Sequence, residues 1–281
     1  MKIAVVVASE SAKPSAFTVF RGVERGVRTA AALGYDGIEL AVRGGSEFEY
    51  EYIDRTLRRH DIGISAISTG QVFADSKLWL SARDDAIRKA AVSEFVGIID
   101  MASSLGCIVN IGRARGFVEE GDAAGETEGD AAGETVKRFC ESMGAIAPYA
   151  ESKGVTLVLE PVNRYETNFI NSVSEGAALI ETLRAAGIGN LKLMPDFFHM
   201  NIEDASMEES LRSHKDLIGY IHAADSNRRA PGWGHLDFSS LAGVINEIGY
   251  DKWISLEILP LPDPESAAKQ AITYLRCFYP S

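Results

Sequence analysis

The sequence predicts an α/β protein built as one (β/α)8 barrel of parallel strands, and three observations carry that reading. Apolar runs alternate with helix-like stretches almost from end to end. The length, 281 residues, suits a fold that typically takes about 250. In the second half, four apolar runs each end on a side chain able to grip a divalent cation: Glu160, Asp196, His222 and Glu257. Their spacings of 36, 26 and 35 residues each fit one strand plus one helix. A parallel barrel gathers such strand ends around a single mouth.

The elements follow in order. Residues 2–8 read as a buried first strand rather than a signal peptide, because Ser9-Glu10-Ser11 follows at once and no full apolar core precedes it. A helix is predicted over 18–33, stopped by Gly34. Strands over 37–42 and 64–68 flank a helix over 50–60. A long helix over 82–105 leads through Gly106 into a strand over 107–111. The helix over 136–152 ends at Lys153-Gly154, and the next strand carries Glu160. Helices over 174–186, 207–216, 238–248 and 264–278 separate or follow the last strands. Each strand is a short continuous apolar run, the pattern of a parallel sheet covered by helices on its outer face. No linker divides the chain, so residues 1–281 read as a single domain.

One segment departs from this alternation. Gly121-Asp-Ala-Ala-Gly-Glu-Thr-Glu128 is followed by Gly129-Asp-Ala-Ala-Gly-Glu-Thr-Val136, and seven acids with no base lie between Glu119 and Glu134. Two octads are too few for a solenoid. The expectation is an acidic, solvated loop insertion over about 117–135 on the mouth face.

Composition narrows the function. Acids outnumber bases 40 to 28, giving a net charge of −12, which argues against a general affinity for nucleic acid or anionic membrane. No apolar run approaches the roughly 20 residues that span a bilayer. Cys107, Cys140 and Cys277 show no CxxC spacing, as expected of reduced thiols in the cytoplasm. A Gly-rich dinucleotide fingerprint after the first strand is absent, so no nucleotide cofactor is expected. Three carboxylates and one imidazole form a hard, mixed oxygen/nitrogen donor set. It suits Mn²⁺, Mg²⁺ or Co²⁺ better than a thiolate-rich zinc site would.

Around those ligands the chain resembles a known family. Leu159-Glu-Pro-Val-Asn-Arg-Tyr-Glu166, Pro195-Asp-Phe-Phe-His-Met-Asn201, His222-Ala-Ala-Asp-Ser-Asn-Arg228 and Gly234-His-Leu-Asp237 are similar to the sugar isomerase/epimerase branch of the xylose-isomerase-like TIM barrels. Within it they look most like the ketose 3-epimerases. The resemblance implies one divalent metal, Mn²⁺ first, on Glu160, Asp196, His222 and Glu257. It gives Glu160 and Glu257 a second role as the acid/base pair, with C3 epimerisation of a free ketose through a metal-stabilised cis-enediolate. Glu166, His199 and Arg228 would bind the substrate's carbonyl end, and Asn163, Arg164 and His235 would orient the ligands. The same residues also suit an aldose–ketose isomerase, a sugar-phosphate epimerase using the Arg228-Arg229 pair, or a lyase that expels water. Relatives of this kind form dimers or tetramers, so a homo-oligomer is implied. Two departures from the family pattern, Phe197 after the strand-end Asp and the acidic octads, imply a pocket of altered size or gating. Nearer the N-terminus, Ser9–Ser11 and Ser68–Phe73 are candidate pocket linings, and Phe73 and Trp233 candidate apolar walls.

Overall fold

Nine parallel strands form one sheet in the computed structural model, which describes residues 1–13, 17–120, 122 and 128–280. The strands are β1 (Lys2–Ala8), β2 (Phe20–Arg21), β3 (Gly37–Ala41), β4 (Gly63–Ser68), β5 (Ile108–Ile111), β6 (Leu157–Leu159), β7 (Leu191–Leu193), β8 (Ile221–Ala223) and β9 (Trp253–Leu256). Eight follow the order β7-β6-β5-β4-β3-β1-β9-β8, and β2 pairs only with β1. Two parallel bridges, Leu193 with Ile218 and Asp196 with His222, join the two ends of that order. The Gly219 N–H donates to the Leu193 carbonyl (2.8 Å) and the His222 N–H to the Pro195 carbonyl (2.9 Å) across the same seam. The sheet therefore closes on itself next to two of the predicted ligands.

Helices cover the outside: α1 (Val23–Leu33), α2 (Tyr50–Arg59), α3 (Gly70–Ala74), α4 (Asp85–Leu105), α5 (Glu128–Ser152), α6 (Val173–Ala185), α7 (Phe197–Glu203), α8 (Met207–Ser213), α9 (Phe238–Glu247) and α10 (Pro264–Arg276). Local chemistry fixes their ends. Asp84 caps α4 by accepting from the Ala86 N–H, and Gly106 ends it in the left-handed region at φ 69°. Ser172 and Glu175 form a reciprocal capping box at the start of α6. The predicted helix over 18–33 starts late, at Val23. Phe20 and Arg21 pair with Val7 and Ala8 instead, and Gly22 at φ 82° turns the chain between the two.

The acidic segment is the second correction. The α5 helix begins at Glu128, so the second octad is helical rather than part of a loop over 117–135. Of the first octad only Asp122 and Glu128 are among the described residues. Asp122 is not solvated: it is buried against Arg138 (2.6 Å) and accepts from the Thr135 hydroxyl (3.0 Å). Glu119 likewise accepts from the Trp79 indole and the Arg83 N–H. Among the described residues, no helix is long and apolar enough to cross a membrane.

Packing separates into two layers. Leu157, Leu159, Leu193, Ile221, Ile254 and Leu256 belong to the large cluster shared by strands and helices. Ala66, Val158, Met194 and Tyr220 form a separate cluster, which fills the barrel interior. Because side chains alternate faces along a strand, residues two positions beyond this inner set also point inward. Those positions after Val158, Met194 and Tyr220 are Glu160, Asp196 and His222. The fold thus delivers the predicted ligands onto the barrel axis, just above an apolar floor.

A candidate metal centre at the barrel mouth

Glu160, Asp196, His222 and Glu257 each offer a ligand atom, and these atoms all lie within 4.8 Å of one another. His222 Nδ1 sits 3.2 Å from Glu160 Oε1, 3.7 Å from Asp196 Oδ2 and 3.7 Å from Glu257 Oε2. All four side chains of the sequence prediction therefore converge. None of the four is a thiol.

A residue the sequence reading passed over orients the imidazole. Glu39, in the middle of β3 and fully buried, lies 2.9 and 3.1 Å from His222 Nε2. Tyr220 donates to the same carboxylate (3.0 Å), and its own oxygen is 2.6 Å from the Ser65 hydroxyl. This chain holds the His222 Nε2–H on Glu39 and turns Nδ1 toward the three ligand carboxylates. A carboxylate behind a ligating histidine fixes its tautomer and raises its basicity. The available signal was a single acid inside an otherwise apolar, wholly buried strand, Gly37-Ile-Glu-Leu-Ala41.

The electrostatics fit a cation. Burial opposes a charge on His222, but Glu39, Asp196 and Glu160 outweigh it and push its pKa well above the ordinary value. A proton on Nδ1 in this geometry occupies the place where a metal would bind. Burial, with Glu160 and Asp196 nearby, pushes the Glu257 carboxyl up to about 8 despite Arg228 and His222. Burial would also raise Asp196, yet Arg228, His199 and His222 hold it well below the carboxylate range. Three carboxylates this close repel one another unless a positive charge joins them, and the donor set is the one a hard divalent ion takes.

Arg228 supplies part of that charge. Its guanidinium lies 2.6 Å from Asp196 and also pairs with Glu257, clamped between the rings of Phe17 and Phe198 at 5.0 and 4.9 Å. The loop beneath it is organised by Asp225, which accepts from the N–H groups of Ser226 (2.7 Å), Gly232 (2.8 Å) and Leu236 (3.2 Å). Arg228 itself sits at φ 60°, so a tightly held loop positions this side chain.

His199 Nδ1 lies 2.7 Å from the Asn163 side-chain amide, which donates to it, and Nε2 faces Glu160 and Asp196 at 3.9 and 3.8 Å. Burial lowers the His199 pKa, so the neutral ring presents an Nε2–H to the cavity. Glu166 accepts from Asn163 (3.2 Å) and faces Arg113 at 3.6 Å. Asn110 donates to Glu160 Oε2 (3.3 Å). A Cβ at Gly112 would come within 2.8 Å of that same oxygen, so only glycine leaves the carboxylate room. Arg115, fully buried, donates to the carbonyls of Gly112, Glu160, Phe169 and Ile170 at 2.8–3.1 Å and so ties the loop after β6 to the one after β5.

Other expectations fall away from this centre. Asn163 does reach His199, whereas Arg164 pairs with Glu203 and His235 with Ser226. Phe197 packs on Phe238 (6.1 Å between ring centres) and is not part of the cavity wall. Phe73 and Trp233 are also absent from the wall, as are Ser9–Ser11, while Ser68, Gly70 and Gln71 belong to it.

Comparison with known proteins agrees with this fold. Residues 27–277 match the family model described as xylose isomerase-like TIM barrel. The D-psicose 3-epimerase of Agrobacterium fabrum is 30% identical over 237 residues, covering 82% of this chain and 77% of that protein. The L-ribulose 3-epimerase of a Methylomonas species is 30% identical over 84% of this chain and 78% of that protein. The crystal structure of a Methylomonas D-allulose 3-epimerase in complex with D-allulose superposes with a TM-score of 0.82 at 23% identity, covering 99% of this chain and 97% of that one. From the barrel, the four converging strand ends and these matches together, the chain belongs to the xylose isomerase-like TIM barrel family.

Proposed function

We propose that the protein is a divalent-cation-dependent sugar epimerase that inverts C3 of a free ketose. The observation that carries this reading is the pair of glutamates, Glu160 after β6 and Glu257 after β9, converging with Asp196 and His222 on one point. The 3-epimerases among the relatives support the choice of reaction. A bound cation would draw electron density from the carbonyl and the neighbouring hydroxyl oxygens, making the C3 proton acidic.

The chain's own residues then divide the work. Inversion needs a proton removed from one face of C3 and another delivered to the opposite face. Glu160 and Glu257 approach from strands separated by β7 and β8, so one acts as base and the other as acid, with roles reversed for the other epimer. His199 presents its Nε2–H to oxygens of the reacting centre. Arg228 holds negative charge on the enediolate oxygens, and Glu166 accepts from a hydroxyl at the carbonyl end.

The test is Mn²⁺-loaded protein in D₂O with a panel of ketoses, including D-fructose and D-psicose, followed by NMR. The expected result is deuterium at C3 in both epimers with no loss of water. Exchange at C1 with an aldose product would replace this reading by aldose–ketose isomerisation, and loss of water would replace it by a lyase.

A further inference from the structure

The two oxygens of the Glu160 carboxylate sit in different surroundings. Oε1 lies 3.2 Å from His222 Nδ1 and 3.9 Å from His199 Nε2, on the side of the ligand cluster. Oε2 faces β5, where the Asn110 side-chain amide donates to it at 3.3 Å. A Cβ on Gly112 would stand 2.8 Å from Oε2 and 3.4 Å from Asn110 Nδ2, so the glycine keeps open the space this pair occupies.

Packing alone does not account for Asn110. The residue is 2% exposed, and its Oδ1 has no hydrogen-bond partner among the described residues. A buried amide left half satisfied lowers stability, and an apolar side chain of similar size would fill the place without that penalty. The contact is also anchored from both sides. Asn110 pairs in register with Ser68 and Val158, and its carbonyl accepts from the Thr69 hydroxyl (2.7 Å). The Glu160 carbonyl in turn accepts from Arg115 (2.9 Å). Amide and carboxylate thus meet on the cavity wall from two fixed stretches of chain.

A carboxylate that both serves a cation and moves a proton needs its two oxygens kept apart in role. If it turned until both faced the cation, the base would be lost. A neutral amide donor sets the plane of the carboxylate. At 3.3 Å the bond is long for its kind, so it steers Oε2 while leaving it able to take a proton. Glu257 is held differently, through the Arg228 guanidinium.

We infer that Asn110 is the positioning residue of Glu160: it holds Oε2 as the proton-carrying oxygen and leaves Oε1 to the cation. This rests on the epimerase reading and assigns that reaction a residue acting on one of its two glutamates only.

The test follows the C3 proton of D-fructose and of D-psicose separately, by NMR in D₂O, with Mn²⁺-loaded wild type, Asn110→Leu and Asn110→Ala. Exchange from the epimer that Glu160 deprotonates should fall roughly tenfold or more, the effect of about one lost hydrogen bond to a charged group. That epimer is the one whose exchange is lost in Glu160→Gln. Exchange from the other epimer, through Glu257, should be unchanged. The ratio of the two rates does not depend on how much of a variant folds. Calorimetric Mn²⁺ affinity should be preserved in both variants, because none of the four ligand side chains is altered. An unchanged ratio in both variants would overturn the assignment. So would a loss of Mn²⁺ affinity with both epimers slowed together, the result a merely structural role predicts. A wild type that exchanges no C3 proton fails differently: it removes the epimerase reading first, and the role of Asn110 with it.

Discussion

Glu160→Gln and Glu257→Gln should each lower epimerisation by about 10²–10⁴-fold, the range supplied by a positioned general acid or base. Amide for carboxylate keeps the shape of the side chain and an oxygen donor, and it removes one charge from a crowded cluster, so both variants should remain folded. The two losses should also differ in kind. A catalyst left with one of its two bases can still remove the proton from the epimer that base faces, but it cannot complete the inversion. One variant should therefore exchange the C3 proton of one epimer with D₂O and the other variant that of its partner, each without interconversion. Undiminished interconversion in either variant would remove that residue from the acid/base pair.

Glu39→Gln tests the orienting carboxylate. His222 Nε2 is held by Glu39 at 2.9 Å, and weakening such a partner typically costs about 10–100-fold in metal affinity. Calorimetric Mn²⁺ titration should show that loss, and the Mn²⁺ concentration for half-maximal activity should rise in parallel. Saturating Mn²⁺ should restore most of the turnover, since Glu39 acts through His222 and does not itself line the cavity. A purely packing role predicts the opposite pattern: a lower unfolding midpoint and a turnover deficit that added metal does not repair.

The sequence made the four ligands legible because two regularities coincide there. Strand–helix units of similar length place strand ends on one rim, and the two-residue alternation along a strand sets the inner layer beneath each ligand. Neither regularity marks Glu39. It lies mid-strand on β3, three strands round the sheet from β8, and only its burial beside His222 gives it meaning. Phe197 lies off the cavity wall for a related reason. Being adjacent to Asp196 in sequence suggests proximity to the pocket, but neighbouring residues diverge, and Phe198 is the ring that flanks Arg228.

The acidic octads show local composition misleading in another way. Glycines and clustered acids suggest a solvated loop. Yet Ala and Glu are also strong helix formers, and α5 runs back to Glu128. Asp122 meanwhile found a partly buried arginine, Arg138, sixteen residues later. Long-range pairing of that sort leaves no trace in spacing. The late start of α1 is similar, because the two-residue strand at Phe20–Arg21 exists only through its pairing with β1.

The claim on which the rest depends is that Glu160, Asp196, His222 and Glu257 jointly hold one cation. Crystals grown with Mn²⁺ and measured for anomalous scattering test it most directly. The expected map has one manganese peak per chain at the barrel mouth, bonded to His222 Nδ1 and to a carboxylate oxygen of each of the other three residues. Manganese bound elsewhere, with those four side chains making no bond to it, would contradict the account.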